Sequence, residues 1–166
     1  MTPHYKDLVG KLARSLNEQQ FEQVRQFYHP DATHHIITPR GGFQEVHGID
    51  AIVSVLQSNF GASNDVIFTI EEMICEASTV CGWGFLKGTT WMGNVLGPFE
   101  LKAFVVLKFK EDKIIYSHWL PDTFAYLRLI GRASFVSNDE DIINQYLDNL
   151  VEMGLIRETD RRLRQP

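Results

Sequence analysis

Apolar residues recur along this chain at two periods, and the change from one to the other divides it. Near the start the spacing is three and four. Tyr5, Leu8, Val9, Leu12 and Leu16 form one stripe and predict a first helix. Asn17 is a candidate cap for a second helix, which carries Phe21, Val24, Phe27 and Tyr28 and must stop near Pro30. "ATHHIIT" reads as a short strand broken by "PRGG". "GIDAIVSVLQSNFG" predicts a third helix with Ile49, Ile52, Val53, Leu56 and Phe60 on one side.

From Asp65 the period becomes two. "DVIFTIEEMICE", "TVCGWGFLKGTTW", "FELKAFVVLKFK" and "KIIYSHWL" read as strands, with "KEDK" as the last turn. In the third of these, Phe99, Leu101, Ala103, Val105, Leu107 and Phe109 share an apolar face. Glu100, Lys102, Phe104, Val106 and Lys108 make a mixed one, as expected of a sheet covered on one side. Gly82, Gly84 and Gly88 predict bulges or bends that curve the sheet. A last helix opens with "SNDE", a capping box from Ser137 to Glu140, shows Ile142, Ile143, Tyr146, Leu147 and Leu150, and ends near Gly154. Helices followed by a run of antiparallel strands give an α+β layer fold. A curved sheet wrapped on those helices makes a cone with an apolar interior, a natural ligand cavity.

Composition narrows the class. The 166 residues suit one domain with a single core, and 44% apolar with 22% charged is ordinary for a globular protein. A formal charge of −5 argues against nucleic acid as a partner, and the basic "RRLRQP" at the end reads as a solvated tail. No apolar run is long enough for a membrane span, and the charged N-terminus has no signal-peptide core, so a cytoplasmic protein is expected. Cys75 and Cys81 are then reduced thiols, although a hairpin could bring them close.

The chemistry concentrates in "HWLPDTFAYLRLIG". Alternation puts Tyr116, His118, Leu120 and, if the strand persists past Pro121, Asp122 on one face. A carboxylic acid in a dry pocket can exchange protons with a carbon next to a carbonyl, and a neighbouring His can share the proton. Equally, Asp122 can cap the helix after it while His118 packs in the core. His29, His34, His35 and His47 match no standard zinc spacing, so no metal is expected; His35 is a candidate pocket group, with His34 and His29 at the surface or an interface. Glu71 and Glu72 read as facing solvent or a second subunit. Arg40 and Lys87 read as solvated charges, and either could instead bind a substrate carboxylate. Trp83, Phe85, Trp91, Phe104 and Trp119 read as core, some of them lining the cavity.

The order of elements resembles the nuclear transport factor 2-like fold and, within it, the polyketide cyclase (SnoaL-like) family. "HPDATHHI" resembles that family's Asp-x-x-x-His stretch, with His35 at the matching position. "HGIDAI" resembles its Gly-x-x-Ala-hydrophobic helix start, and "KIIYSHWLPDTFAYLRLIG" its Lys-Ile…His-Trp…Asp…Leu-Gly ending. The resemblance covers residues 5–131, the cone, and leaves 132–166 as a helical extension of one domain, 1–166. It implies ring closure or isomerisation of a small hydrophobic, polyketide- or terpenoid-like metabolite, with no cofactor, by acid–base catalysis in a homodimer.

Counted back nine residues from Gly131, the family's acid–base Asp is Asp122, with His118 and His35 as catalytic partners. Trp83, Phe85, Thr90, Trp91, Phe104, Tyr116 and Trp119 are the implied substrate-binding set. Two departures stand out. The Trp119–Asp122 interval is one residue short and contains Pro121, and Thr90 stands where the family often has a His. A non-catalytic ligand-binding or heteromer-partner domain, and a hydrolase or dehydratase, are the alternative uses of the same cavity.

Overall fold

The computed structural model describes residues 3–37, 43–61, 63, 65–91, 94–122 and 125. Helices α1 (Pro3–Asn17), α2 (Phe21–Arg25) and α3 (Ile49–Leu56) are gathered in the first third of the chain, and a single π-helical turn (Gln57–Gly61) prolongs α3. Strands β1 (Tyr28–Ile37), β2 (Phe43–His47), β3 (Ile67–Glu76), β4 (Thr79–Trp91), β5 (Asn94–Lys110) and β6 (Lys113–Pro121) form one sheet in the order β2-β1-β6-β5-β4-β3. All neighbours are antiparallel except β1 and β6, which run parallel. The α+β cone expected from the sequence is therefore present. The expected helix over 137–154 lies outside the described residues.

The inner face of the sheet carries the core. Leu101, Ala103, Val105, Leu107 and Phe109 are all buried, and Val9, Leu12 and Leu16 of α1 pack over them. Each of the Val, Leu and Phe side chains contributes about 1.5–3 kcal/mol when fully removed from water.

Three expectations are corrected. Asn17 does not cap α2. Its side-chain amide donates to the Phe68 carbonyl (2.9 Å) and its side-chain oxygen accepts from the Phe68 N–H (2.8 Å), so it clasps the end of α1 to the edge strand β3. The second helix is only five residues long, because Tyr28 already belongs to β1. Pro30 lies inside β1 rather than before it, at an irregularity between Tyr28 and Thr33 where no ladder bond needs its missing N–H. The short strand β2 was not foreseen; its five residues follow the "PRGG" break too closely to show a period of their own.

The curvature comes from β3 and β4. A bulge between Ile70 and Glu72 bends β3 across its neighbour, and a Cβ built on Gly84 would sit 1.7 Å from the Thr69 carbonyl oxygen. Only glycine fits there. The "KEDK" turn is a tight hairpin in which Glu111 and Asp112 both take positive φ, 51° and 61°, as a two-residue primed turn requires.

Gly84→Ala should therefore destabilise the fold by about 3 kcal/mol or more, since a backbone carbonyl must move. Gly10, mid-helix with nothing within 4 Å of an added Cβ, gives the opposite sign. Gly10→Ala should stabilise by about 0.5–1 kcal/mol. Urea midpoints of the two variants check both.

Candidate active site

A one-residue bulge decides which side chains of β6 enter the cone. Lys108 pairs with Tyr116 and Phe109 with Ile114, which leaves Ile115 as the extra residue. Ile114, Ser117 and Trp119 then point inward, in register with Phe109, Leu107 and Val105. Tyr116, His118 and Leu120 point outward with Lys108, Val106 and Phe104. On β1 the same register puts His34 beside Ser117 and His35 beside His118.

The expected site residues divide accordingly. Trp119 is on the inner face, against Phe60 and Phe68 with ring centroids 6.0 and 5.0 Å away. His35, His118 and Tyr116 meet on the outer face, not in the cone. The two imidazoles lie 5.2 Å apart, and the Tyr116 hydroxyl is 3.4 Å from His118 Nδ1. Burial, then His35, lowers the His118 pKa. Trp83, Phe85 and Phe104 also face outward, with Lys102 over Trp83 at 4.3 Å and over Phe104 at 5.6 Å, and Lys87 over Phe85 at 5.0 Å. Trp83 Nε1 donates to Glu72. Thr90 pairs with Val95 near the tip of the β4–β5 hairpin, where its N–H donates to Asp65; Trp91 closes the strand opposite Asn94. Asp122 is exposed. Its Oδ1 accepts from the Ala125 N–H at 3.0 Å, the bond a helix cap makes, and its own N–H donates to the Lys102 carbonyl.

The inner face holds a polar group that alternation, taken without the bulge, missed. His34 is 2% exposed and Ser117 0%, and His34 Nδ1 lies 2.6 Å from the Ser117 hydroxyl. The Tyr28 hydroxyl is buried beside Ser117 without a well-formed hydrogen bond, and the buried Trp119 indole N–H has no acceptor among the described residues. Burial pushes the Tyr28 pKa up to about 12, so the phenol stays protonated. Burial, with His35 and His118 adding, brings His34 down to about 4, so its imidazole is neutral at pH 7. One signal was available in the sequence: adjacent histidines on a strand cannot both face out, so either His34 or His35 had to be inside.

Beside Trp119 the interior leaves a space of about 10 Å³, lined by Val9, Leu12, Leu16 and Val105, about the size of one water. A groove of about 510 Å³ between α1 and β3 shares Ala13, Phe68 and Ile70 with it. The groove is within the size range of small-ligand sites. Among the described residues no group of three His, Cys, Asp or Glu side chains is placed to hold a metal. Of the polar cluster, Trp119 lines the smaller space, whereas His34, Ser117 and Tyr28 line neither.

Comparison with known proteins places the fold. The SnoaL-like domain family matches residues 9–117. No protein of curated function matches the chain. Among solved structures, a SnoaL-like polyketide cyclase from Agrobacterium tumefaciens is 20% identical, with a TM-score of 0.61 over 76% of this chain and 97% of its own. An NTF2-like protein of unknown function from Burkholderia pseudomallei is 18% identical, with a TM-score of 0.65 over 76% and 97%. A protein assigned as a ketosteroid isomerase from Kribbella flavida is 12% identical, with a TM-score of 0.57 over 72% and 78%. At these identities the likeness shows the fold.

His34 also makes stability depend on pH. Unfolded, the imidazole takes its proton near pH 6.5; folded, only near 4. Between those values the unfolded chain binds more protons, so stability is full above about pH 6.5 and falls as pH drops toward 4. A depression of that size is worth about 3 kcal/mol at most. Urea unfolding of His34→Gln should lack this part of the decline. An equally steep decline in the variant would place its source elsewhere.

Proposed function

The chain belongs to the SnoaL-like domain family, and from that membership we propose that it is a cofactor-free cyclase or isomerase that moves a proton on a small hydrophobic ligand held against the inner face of the sheet. The observation that carries this reading is the His34–Ser117 hydrogen bond, buried with the Tyr28 hydroxyl in an otherwise apolar interior. Relatives described as a polyketide cyclase and as a ketosteroid isomerase support the same class of reaction.

The chemistry is proton abstraction next to a carbonyl. A base takes the proton, and the electron pair of the broken C–H bond moves onto the carbonyl oxygen. Hydrogen bonds from Tyr28 or the Trp119 indole stabilise the charge there, in a medium where each bond is worth more than in water. Return of the proton to another carbon completes an isomerisation; attack of the new carbon nucleophile on a second carbonyl completes a ring closure. In this reading neutral His34 meets the ligand through one ring nitrogen while Ser117 holds the other, Asp122 is the proposed proton acceptor, and ligand entry must widen the interior beyond the space of about 10 Å³ beside Trp119. The α1–β3 groove, whose floor adjoins Trp119, is the proposed route in.

Deuterium uptake in D2O by small hydrophobic ketones such as 2-tetralone, read by mass spectrometry, separates an enzyme from a carrier. The enzyme should exchange α-protons faster than buffer. Asp122→Asn and His34→Gln should each slow exchange by about 10²–10⁴-fold, the usual span of acid–base catalysis. Asp122→Ala should in addition cost about 1 kcal/mol of stability through the lost cap. Ketone binding with no exchange would make the chain a binding domain. Full exchange in Asp122→Asn would leave that residue a cap alone.

A further inference from the structure

The described helices cover one face of the sheet, and the other is too apolar to be left to water. On the outer face Ile74 is 67% exposed and Phe104 46%, with Trp83, Phe85 and Tyr116 half-buried beside them. The register joins these positions into a continuous patch from β3 to β6: Trp83 lies opposite Phe104, and Phe104 opposite Leu120. Contiguous apolar patches beyond a few hundred Å² are uncommon on open surfaces. The patch also carries two cations in addition to the Glu72 carboxylate that accepts from Trp83. Lys102 and Lys108 are exposed, lie over the rings of Trp83 and Tyr116, and form no ion pair among the described residues, whereas Lys87 is paired with Glu100 at 2.7 Å.

The chain itself carries a complement. Solved structures covered over 97% of their own length match only 76% of this chain, and the family match ends at residue 117. Within the remainder, residues 137–154 place Ile143, Tyr146, Leu147 and Leu150 at helical spacing on one side. The same stretch holds Asp139, Glu140, Asp141, Asp148 and Glu152 and no basic residue. Its reach is sufficient. β6 ends at Pro121, next to the Leu120–Phe104 pair. Residues 126–136 extend up to about 36 Å at about 3.3 Å each. A helix over 137–154 is about 27 Å long. The strands from β3 to β1 span about 19 Å at about 4.8 Å apart.

We propose that residues 137–154 dock across the outer face of the sheet, with Ile143, Tyr146, Leu147 and Leu150 on Trp83, Phe85 and Phe104 and the acidic side chains against Lys102 and Lys108. The docked segment covers the patch that the helices leave open and holds the far end of the chain beside β6.

Cys81 is a native reporter for this contact. It is exposed on the outer face, next to Trp83 in its row and opposite Val106. In a Cys75→Ser background, its reaction with a chromogenic disulfide reagent can be timed in the full-length chain. The rate should rise at least tenfold in Leu147→Asp/Leu150→Asp, and should not depend on protein concentration. Lys102→Glu/Lys108→Glu, which leaves the apolar contacts intact, should raise it as well, and circular dichroism verifies that each variant is folded. The proposal fails if Cys81 reacts equally fast in the full-length chain and both variants. It also fails if protection survives the tail substitutions and appears only where light scattering reports a dimer, because a second copy then covers the face.

Discussion

The bulge at Ile115 is the constraint on which the placement of the polar groups of β6 and of the paired stretch of β1 depends. β6 lies between β1 and β5, so its parity is transmitted to both neighbours. With the extra residue, Ile114 and Ser117 are both inside, and His34 follows Ser117 inward through the parallel pairing with β1. Without it, one end of β6 would carry His118 and Tyr116 into the core and Ser117 and Trp119 out to solvent. A slip of one residue exchanges the two faces of a strand completely, so the position of a single bulge selects which histidines can meet a ligand.

This is also where legibility in the sequence ran out. The α+β order, the four long strands, the "KEDK" hairpin and the apolar face of β5 were readable, because long runs of period two or three to four are each consistent with only one kind of element. The direction of each face was not. Alternation along "KIIYSHWL" makes His118 and Tyr116 neighbours, which they are, but it does not say which side the helices cover. A bulge leaves no composition of its own, since Ile115 is as apolar as Ile114. The three glycines of β4 announced curvature correctly, and Gly84 shows why: it lets the bent β3 cross within contact of the strand. Asn17 was misread because a cap and a clasp to an edge strand use the same short amide.

The inner cluster costs stability. A buried donor without an acceptor costs about 1–3 kcal/mol; among the described residues the Trp119 indole N–H is one, and the Tyr28 hydroxyl has a loose contact with Ser117. Phe in place of Tyr28 would fill nearly the same volume with no hydroxyl to satisfy. His34 adds a second cost, because the fold holds its imidazole neutral against the protonation it would accept in water near pH 6.5. The cost of these polar groups is one reason to seek the proposed site on this side of the sheet rather than among the larger aromatic set outside.

The two faces are nevertheless not independent. His35 and His118 lie on the outer side of the strands that present His34 and Ser117 inward, so one strand's thickness separates the two sets. Both outer imidazoles act against protonation of His34, after burial itself. Charge on the outer face therefore reaches the inner imidazole through a medium that screens poorly. Negative charge brought over the outer face would act on His34 with the opposite sign and favour its protonation, so an acidic cover on that face and a neutral inner imidazole oppose one another across the thin sheet.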